Sequence, residues 1–152
     1  YSQTNGGKLT FAPAVPGSVE HYSLSNNQLN IMAGSFLACT PGVNVKAKFG
    51  GFKAFFSGEG AFLLEASGSG ELFFNSFGGI VKKNINGEFI VDSGHVVAFE
   101  PSLSYKISGM GNWKSTMLSG EGLVMTFSGS GKIYLQTRTI DSLASWLTPR
   151  LL

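Results

Sequence analysis

Apolar and polar residues alternate with a period of two along much of this chain. Val43, Val45 and Ala47 alternate with Asn44, Lys46 and Lys48, and Leu103, Tyr105 and Ile107 alternate with Ser104, Lys106 and Ser108. Residues two apart on a strand share a face, so each run predicts a strand buried on one side. Pro41 and Pro101, which fix φ and withhold an N–H, stand in the turns just before them. A second pattern sets glycine and a charge ahead of apolar positions two apart, at Gly70-Glu71-Leu72-Phe73-Phe74 and Gly131-Lys132-Ile133-Tyr134-Leu135, with a partial copy at Gly7-Lys8-Leu9-Thr10-Phe11. As strands, these send Leu9/Phe11, Leu72/Phe74 and Ile133/Leu135 into the core. Thr10, Phe73 and Tyr134 then face the other way, and the two aromatics call for cover on that face too. Strand signals at roughly ten-residue intervals, punctuated by Gly, Asn, Ser or Pro, favour an antiparallel sandwich or barrel.

One helix is predicted, over Ile140 to Pro149. Asp141 or Ser142 caps its start, Leu143, Ala144 and Leu147 share a face, and Pro149 stops it. Its expected role is to close one end of the β core.

The strand patterns come in duplicate. Residues 28–41 lie over 88–101, Ser57-Gly58-Glu59-Gly60 recurs as Ser119-Gly120-Glu121-Gly122, and Ser67-Gly68-Ser69-Gly70 recurs as Ser128-Gly129-Ser130-Gly131. A period of about 60 residues is too long for common solenoids and reads as a duplicated small β module. The offset drifts: 63 at Gly7/Gly70, 60 at Pro41/Pro101, 62 at Glu59/Glu121 and 61 at Gly68/Gly129. Ala61 to Ala66 holds one residue more than Leu123 to Phe127, which predicts a β-bulge near Leu63 to Glu65.

Composition narrows the function classes. The 152 residues suffice for one ordinary domain or two small modules sharing a core. The 21 glycines come with 13 Phe and only 5 Pro, which argues for tight turns between strands and against a disordered tract. Only 13% of residues are charged, so some apolar surface is expected to meet another subunit. A net charge of +2, with Lys82-Lys83 the one basic dipeptide, gives no nucleic-acid footprint. Cys39 has no cysteine to pair with and aligns with Phe99, so it reads as a small buried apolar residue. No glycosylation sequon and no run of the roughly 20 apolar residues that a membrane span needs occur, so the chain reads as soluble and not secreted. Tyr1 is not a start methionine, and a preceding segment, with or without a targeting signal, is expected.

Candidate chemistry is sparse. Gly129-Ser130-Gly131-Lys132 resembles a phosphate loop, but Thr126 stands where its first glycine belongs, Ile133 where its Ser/Thr belongs, and a strand follows where a helix N-terminus should meet the anion. His95 could pair with Asp92 or Glu100 as a general base, yet its repeat mate is Ser35, and a turn residue bonded to backbone is the plainer reading. Two histidines and one cysteine exclude His/Cys metal clusters, and no Gly-x-Ser-x-Gly elbow occurs. Glu59 and Glu121 are kept between glycines in both copies. They read either as a paired acid site or as turn carboxylates that accept backbone N–H groups or pair with Lys53 and Lys114. No cofactor or metal is expected.

Several motifs together carry a family resemblance: Gly34-Ser35-Phe36-Leu37-Ala38, Pro41-Gly42-Val43, both Ser-Gly-Glu-Gly turns, Asp92-Ser93-Gly94-His95-Val96-Val97-Ala98-Phe99-Glu100-Pro101, and Ile133-Tyr134-Leu135-Gln136-Thr137. From Leu9 to Trp146 the chain resembles the AIM24 family of bacterial and mitochondrial β proteins. The resemblance implies a fold like that of the tryptophan RNA-binding attenuation protein, a double-sheet β module that assembles into rings or other homo-oligomers. It also implies a further module ahead of the part seen here. Mitochondrial members are associated with inner-membrane organisation, bacterial members lack an established activity, and no catalytic residues carry over. RNA binding does not follow from fold likeness alone.

The resulting expectation is an all-β protein built of a duplicated antiparallel module, with a first unit at 1–69, a second at 70–139 and a C-terminal helix and tail at 140–152. It is expected to be a non-enzymatic assembly protein that self-associates or binds a protein partner, cytoplasmic in a bacterium, or mitochondrial if a targeting segment precedes it. Phe52, Phe55, Phe56, Phe73, Trp113 and Tyr134 are candidate interface anchors, or else parts of the intramolecular core. The rival readings are a ligand-binding module with an apolar cavity, RNA binding, and an enzyme built on His95.

Overall fold

Long strands with glycine midway are able to bend sharply, and this chain has three of them, beside a fourth long strand that carries Asn26-Asn27 there instead. The computed structural model describes residues 7–49, 62–109 and 123–151. The strands are β1 (Val19–Met32), β2 (Phe36–Cys39), β3 (Val43–Phe49), β4 (Phe62–Asn75), β5 (Ile80–Asp92), β6 (Val96–Phe99), β7 (Leu103–Gly109) and β8 (Leu123–Gln136), followed by helix α1 (Ile140–Leu151). Single 3-10 turns, Ala33–Ser35 and Ser93–His95, join β1 to β2 and β5 to β6. β1 to β4 and β5 to β8 thus repeat one order of elements.

Within each unit the pairing is also the same. β4 lies between β1 on one edge and β2 with β3, end to end, on the other; β8 lies likewise between β5 and β6 with β7. All of these pairs are antiparallel. The units join where Asn30 and Ile31 of β1 pair with Phe99 and Ala98 of β6, giving one sheet in the order β2-β4-β1-β6-β8-β5, with β3 beside β4 and β7 beside β8.

The break between β2 and β3 is a corner, and so is the one between β6 and β7. At the first, the Thr40 N–H donates to Glu71 O (2.9 Å), and Thr40 Oγ1 accepts from the Glu71 N–H (2.9 Å). At the second, the Glu100 N–H donates to Lys132 O (3.0 Å), and the Glu100 carboxylate accepts from the Lys132 N–H (2.9 Å). A hydroxyl and a carboxylate do one job, holding the long strand against the turn. Opposite each corner sits a glycine with positive φ, Gly68 at 113° and Gly129 at 123°. A Cβ on Gly68 would lie 2.5 Å from Gly42 O, and one on Gly129 would lie 2.9 Å from Ser102 O, so both conformation and space demand glycine.

The corners fold each unit over an apolar filling. One core holds Leu24, Leu29, Ile31, Leu72 and Phe74 with Val97, Ala98 and Tyr134 from the other unit. The second holds Ile85, Phe99, Met125, Phe127 and Ile133 with Leu63 from the first. Phe74, Phe99 and Phe127 are fully buried, each contributing about 1.5–3 kcal/mol of transfer free energy. Because each core borrows side chains from the other unit, neither is closed without its neighbour.

Several expectations need correction. No bulge interrupts Leu63 to Glu65, whose pairing with Lys48 to Lys46 is regular. The register shift lies instead in β1, between Ser25 and Asn27. Asn26, at φ 55°, is the inserted residue, and its N–H donates to Ser69 Oγ (3.1 Å). Phe62 and Leu123 already occupy equivalent strand positions, so the extra residue of the first copy precedes Phe62. The boundary expected between residues 69 and 70 lies inside β4, and the units meet at Ser76–Gly79. Leu9 and Phe11 do not enter the core; they are 81% and 42% exposed, on a segment that forms no strand.

Helix α1 starts at Ile140 as expected, but neither Asp141 nor Ser142 is its cap. Thr139 caps it, its Oγ1 accepting from the Ser142 N–H (3.1 Å). It also runs through Pro149 to Leu151 instead of stopping there. In the last turn the Arg150 guanidinium donates to Trp146 O (2.5 Å) and lies over the Trp146 ring. None of its residues is buried, and Leu143 and Trp146 stay exposed, so it does not close the β core.

Candidate functional site

Three of the polar residues singled out by sequence, Asp92, His95 and Glu100, are spent on backbone. The Asp92 carboxylate accepts from the Gly94 N–H (2.8 Å), and His95 Nδ1 meets Gln136 O at 2.7 Å, which makes Nδ1 the protonated, donating nitrogen. Gln136 answers by donating to Gly94 O (2.7 Å) and accepting from the Phe77 N–H (2.8 Å), stitching this turn to the seam between units. Glu100 is fixed at the β6–β7 corner. Among the described residues no hydrogen bond joins His95 to Asp92 or Glu100. Glu59, Glu121, Lys53 and Lys114 lie outside the described residues.

Sequence reasoning missed a different polar cluster, which appears only once β1 and β4 are in register. His21, Ser23 and Glu71 share an exposed face; Glu71 Oε2 accepts from Ser23 Oγ (2.7 Å) and also meets His21 Nε2. The Ser23 hydrogen bond first, and then His21, hold the Glu71 carboxyl below the usual carboxylate range. The His21 ring also stacks on Phe73, with centroids 5.0 Å apart. One carboxylate holds both partners and water reaches all three, so the cluster orients side chains on a surface and encloses no reaction site.

The aromatic candidates separate. Tyr134 is core: 3% exposed, edge-on to Phe74 at 5.2 Å and to Tyr22 at 6.3 Å. Burial, reinforced by Tyr22, Glu20 and Glu100, pushes its hydroxyl up to about 12. Its repeat mate Phe73 is half-buried, with Phe11 edge-on at 5.9 Å and the His21 ring stacked at 5.0 Å. Phe52, Phe55, Phe56 and Trp113 lie outside the described residues.

This contrast extends over two faces. The first unit's trailing face packs on the second unit's leading face, while among the described residues no strand pairs with the outer edges of their equivalents. On the covered side Asn30 is 6% and Ile31 0% exposed; in their places the second unit carries Ile90, 59% exposed, and Val91, half-buried. Val97, Ala98 and Phe99 of β6 are fully buried, whereas Leu37, Ala38 and Cys39 of β2 are half-buried. Phe74 is fully buried and Leu135 half-buried; Tyr22 is half-buried and Lys83 exposed. Each of these pairs differs in the same direction. Across the covered seam the Lys82 ammonium pairs with Glu20 at 2.6 Å.

An open depression of about 450 Å³ lies at the β1 bulge, lined by Asn26, Asn27, Gln28, Ser67, Gly68 and Pro101. It is a surface ledge without a charged group. Among the described residues no cluster of three or more His, Cys, Asp or Glu is placed to hold a metal, and no helix is long and apolar enough to cross a membrane.

The same strands occur in known proteins. A crystal structure of a Streptococcus pyogenes protein superimposes with a TM-score of 0.81 at 33% identity, over 93% of this chain and 63% of that one. An uncharacterized protein of Streptococcus pyogenes serotype M6 is 35% identical over 144 residues, 93% of this chain and 58% of the relative. The chain therefore spans about three fifths of either relative's length. Residues 1–138 match the family model described as mitochondrial biogenesis AIM24. With the corners, the repeated strand order and the turn motifs all lying inside that match, the chain belongs to the AIM24 family.

Proposed function

We propose that this protein is a non-enzymatic assembly module that works by docking the faces of its β units, against like subunits or a protein partner. One observation carries the reading: equivalent faces are closed between the two units and, among the described residues, more exposed at their outer ends. An uncovered face of alternating apolar residues beside a sheet edge favours association. The engagement of Asp92, His95 and Glu100 with backbone supports a structural role for them over catalysis. Light scattering coupled to size exclusion over a range of concentrations tests the reading. A mass that rises above the 16.1 kDa of one chain is expected, and a monomer that also captures no partner contradicts it.

A further inference from the structure

We infer that the depression at the β1 bulge is a binding site for a neutral saccharide of one or two rings, held by the side-chain amides of Asn26, Asn27 and Gln28. It lies at the junction of the units, apart from their outer ends, and takes a wall from each. Asn26, Asn27, Gln28, Ser67 and Gly68 come from the first unit, and Pro101 from the β6–β7 corner of the second.

The second unit shows the same stretch of strand without a bulge. There Asn86, Gly87 and Glu88 stand opposite Ser130, Gly129 and Ser128 in unbroken register. In the first unit Ser25, Asn27 and Gln28 stand opposite Ser69, Gly68 and Ser67, with Asn26 inserted. Relative to β5, then, β1 gains Asn26, carries Asn27 in place of Gly87 and carries Gln28 in place of Glu88. Each difference adds a neutral amide at one spot, and the last also removes a charge. Strand pairing requires none of them, because β5 pairs with β8 along its whole length. Asn26, at φ 55°, is also the one positive-φ residue among those described that is not glycine. Asparagine tolerates this region, though glycine would enter it without cost. Bulges re-aim side chains and are concentrated beside functional sites.

The bulge fixes how the amides are presented. The Asn26 N–H donates to Ser69 Oγ (3.1 Å), and the Ser69 hydroxyl in turn donates to Asn26 Oδ1 (3.0 Å). Asn27 Oδ1 accepts from the Ser25 N–H (2.9 Å). Both carbonyl ends are thus engaged, which leaves the NH2 ends as donors. Gln28 is exposed, and its amide offers both a donor and an acceptor. Such groups match neighbouring sugar hydroxyls, which donate and accept in turn, while the Pro101 ring gives the C–H face of a sugar an apolar neighbour. No side chain lining the depression is charged, so an ion finds nothing there to pair with. Its volume of about 450 Å³ falls among small-ligand sites, which span roughly 300–1,000 Å³. Because it is open to water on one side, binding is expected to be weak, with Kd on the order of 1 mM.

Saturation-transfer difference NMR on the full chain, with maltose and N,N′-diacetylchitobiose as probes, tests the site at any oligomeric state. Transfer to the ring protons of at least one of them should saturate with that affinity. Deleting Asn26 together with Asn27→Gly gives β1 the regular register of β5 and should abolish the transfer, with circular dichroism checking the fold. Gln28→Ala, an exposed substitution that keeps the bulge, should weaken binding on the order of tenfold and keeps the test decisive if the deletion unfolds the chain. Glu88→Ala, at the equivalent place in the unbulged copy, should change nothing. The inference is overturned if neither sugar shows saturable transfer, or if transfer is undiminished in Gln28→Ala or in the folded variant without the bulge.

Discussion

The two units have the same strand order and the same corners, yet Phe99 is fully buried where Cys39 is half-buried, and Tyr134 is core where Phe73 is half-buried. Local sequence therefore decides the strand, and the neighbour decides what the strand is worth. β6 is covered because β1 lies beside it, and β2 is open because no described strand does. A side chain on the closed face carries stability, while its equivalent on the open face contributes less to the fold and is the one that the proposed assembly would cover. This difference can be broken or sharpened by substitution.

The largest effect is expected at Phe99, which packs edge-on against Phe127 at 5.0 Å and Tyr105 at 5.3 Å. Phe99→Ala should cost about 3–5 kcal/mol in denaturant unfolding, whereas Cys39→Ala at the equivalent place should cost about 1 kcal/mol or less. Equal losses would mean that the two faces are not differently covered. The corner glycines come next. Gly68→Ala and Gly129→Ala should each cost about 1–3 kcal/mol from positive φ, with Gly68 the worse because its added Cβ meets backbone at 2.5 Å rather than 2.9 Å.

Alkaline pH separates the aromatic pair. Burial raises the Tyr134 hydroxyl from 10.0 to about 12, so the fold favours the neutral phenol. That contribution is fully present below the unfolded value of 10.0 and is lost as pH rises from there through about 12. Thermal stability followed over that window should fall, and Tyr134→Phe should flatten the fall. The smallest effect is on the open face. Glu71 is lowered in the fold, so its contribution is present above the unfolded carboxylate value and fades as pH drops through the lowered one. Ser23→Ala should move the Glu71 titration, read by NMR, back toward the ordinary range with little change in stability.

Much of this fold was legible in the chain. Period-two runs at Val43–Ala47 and Leu103–Ile107 became β3 and β7, and the glycine pairs became corners. What could not be read was anything set by pairing. Asn26 took the bulge because the strand facing Ser69 is β1, and the alignment of copies could not say which strand absorbs an extra residue. Leu9 and Phe11 carry the alternation of a buried strand, but no strand pairs with them, so the pattern alone did not bury them. The His21–Ser23–Glu71 cluster joins positions 48 and 50 residues apart through cross-strand register. Pro149 is accommodated within helix α1 near its end, where composition suggested a stop.

Backbone amide hydrogen exchange, followed from dilute to concentrated protein, tests most directly whether the open edges are the equivalents of the closed ones. Amides of Ala38, Cys39, Ile90 and Val91 should become protected as concentration rises, while those of Asn30, Ile31, Ala98 and Phe99 should be protected at every concentration. Edges that exchange equally fast throughout, or a concentration-dependent protection confined to other strands, would contradict the pairing of these faces.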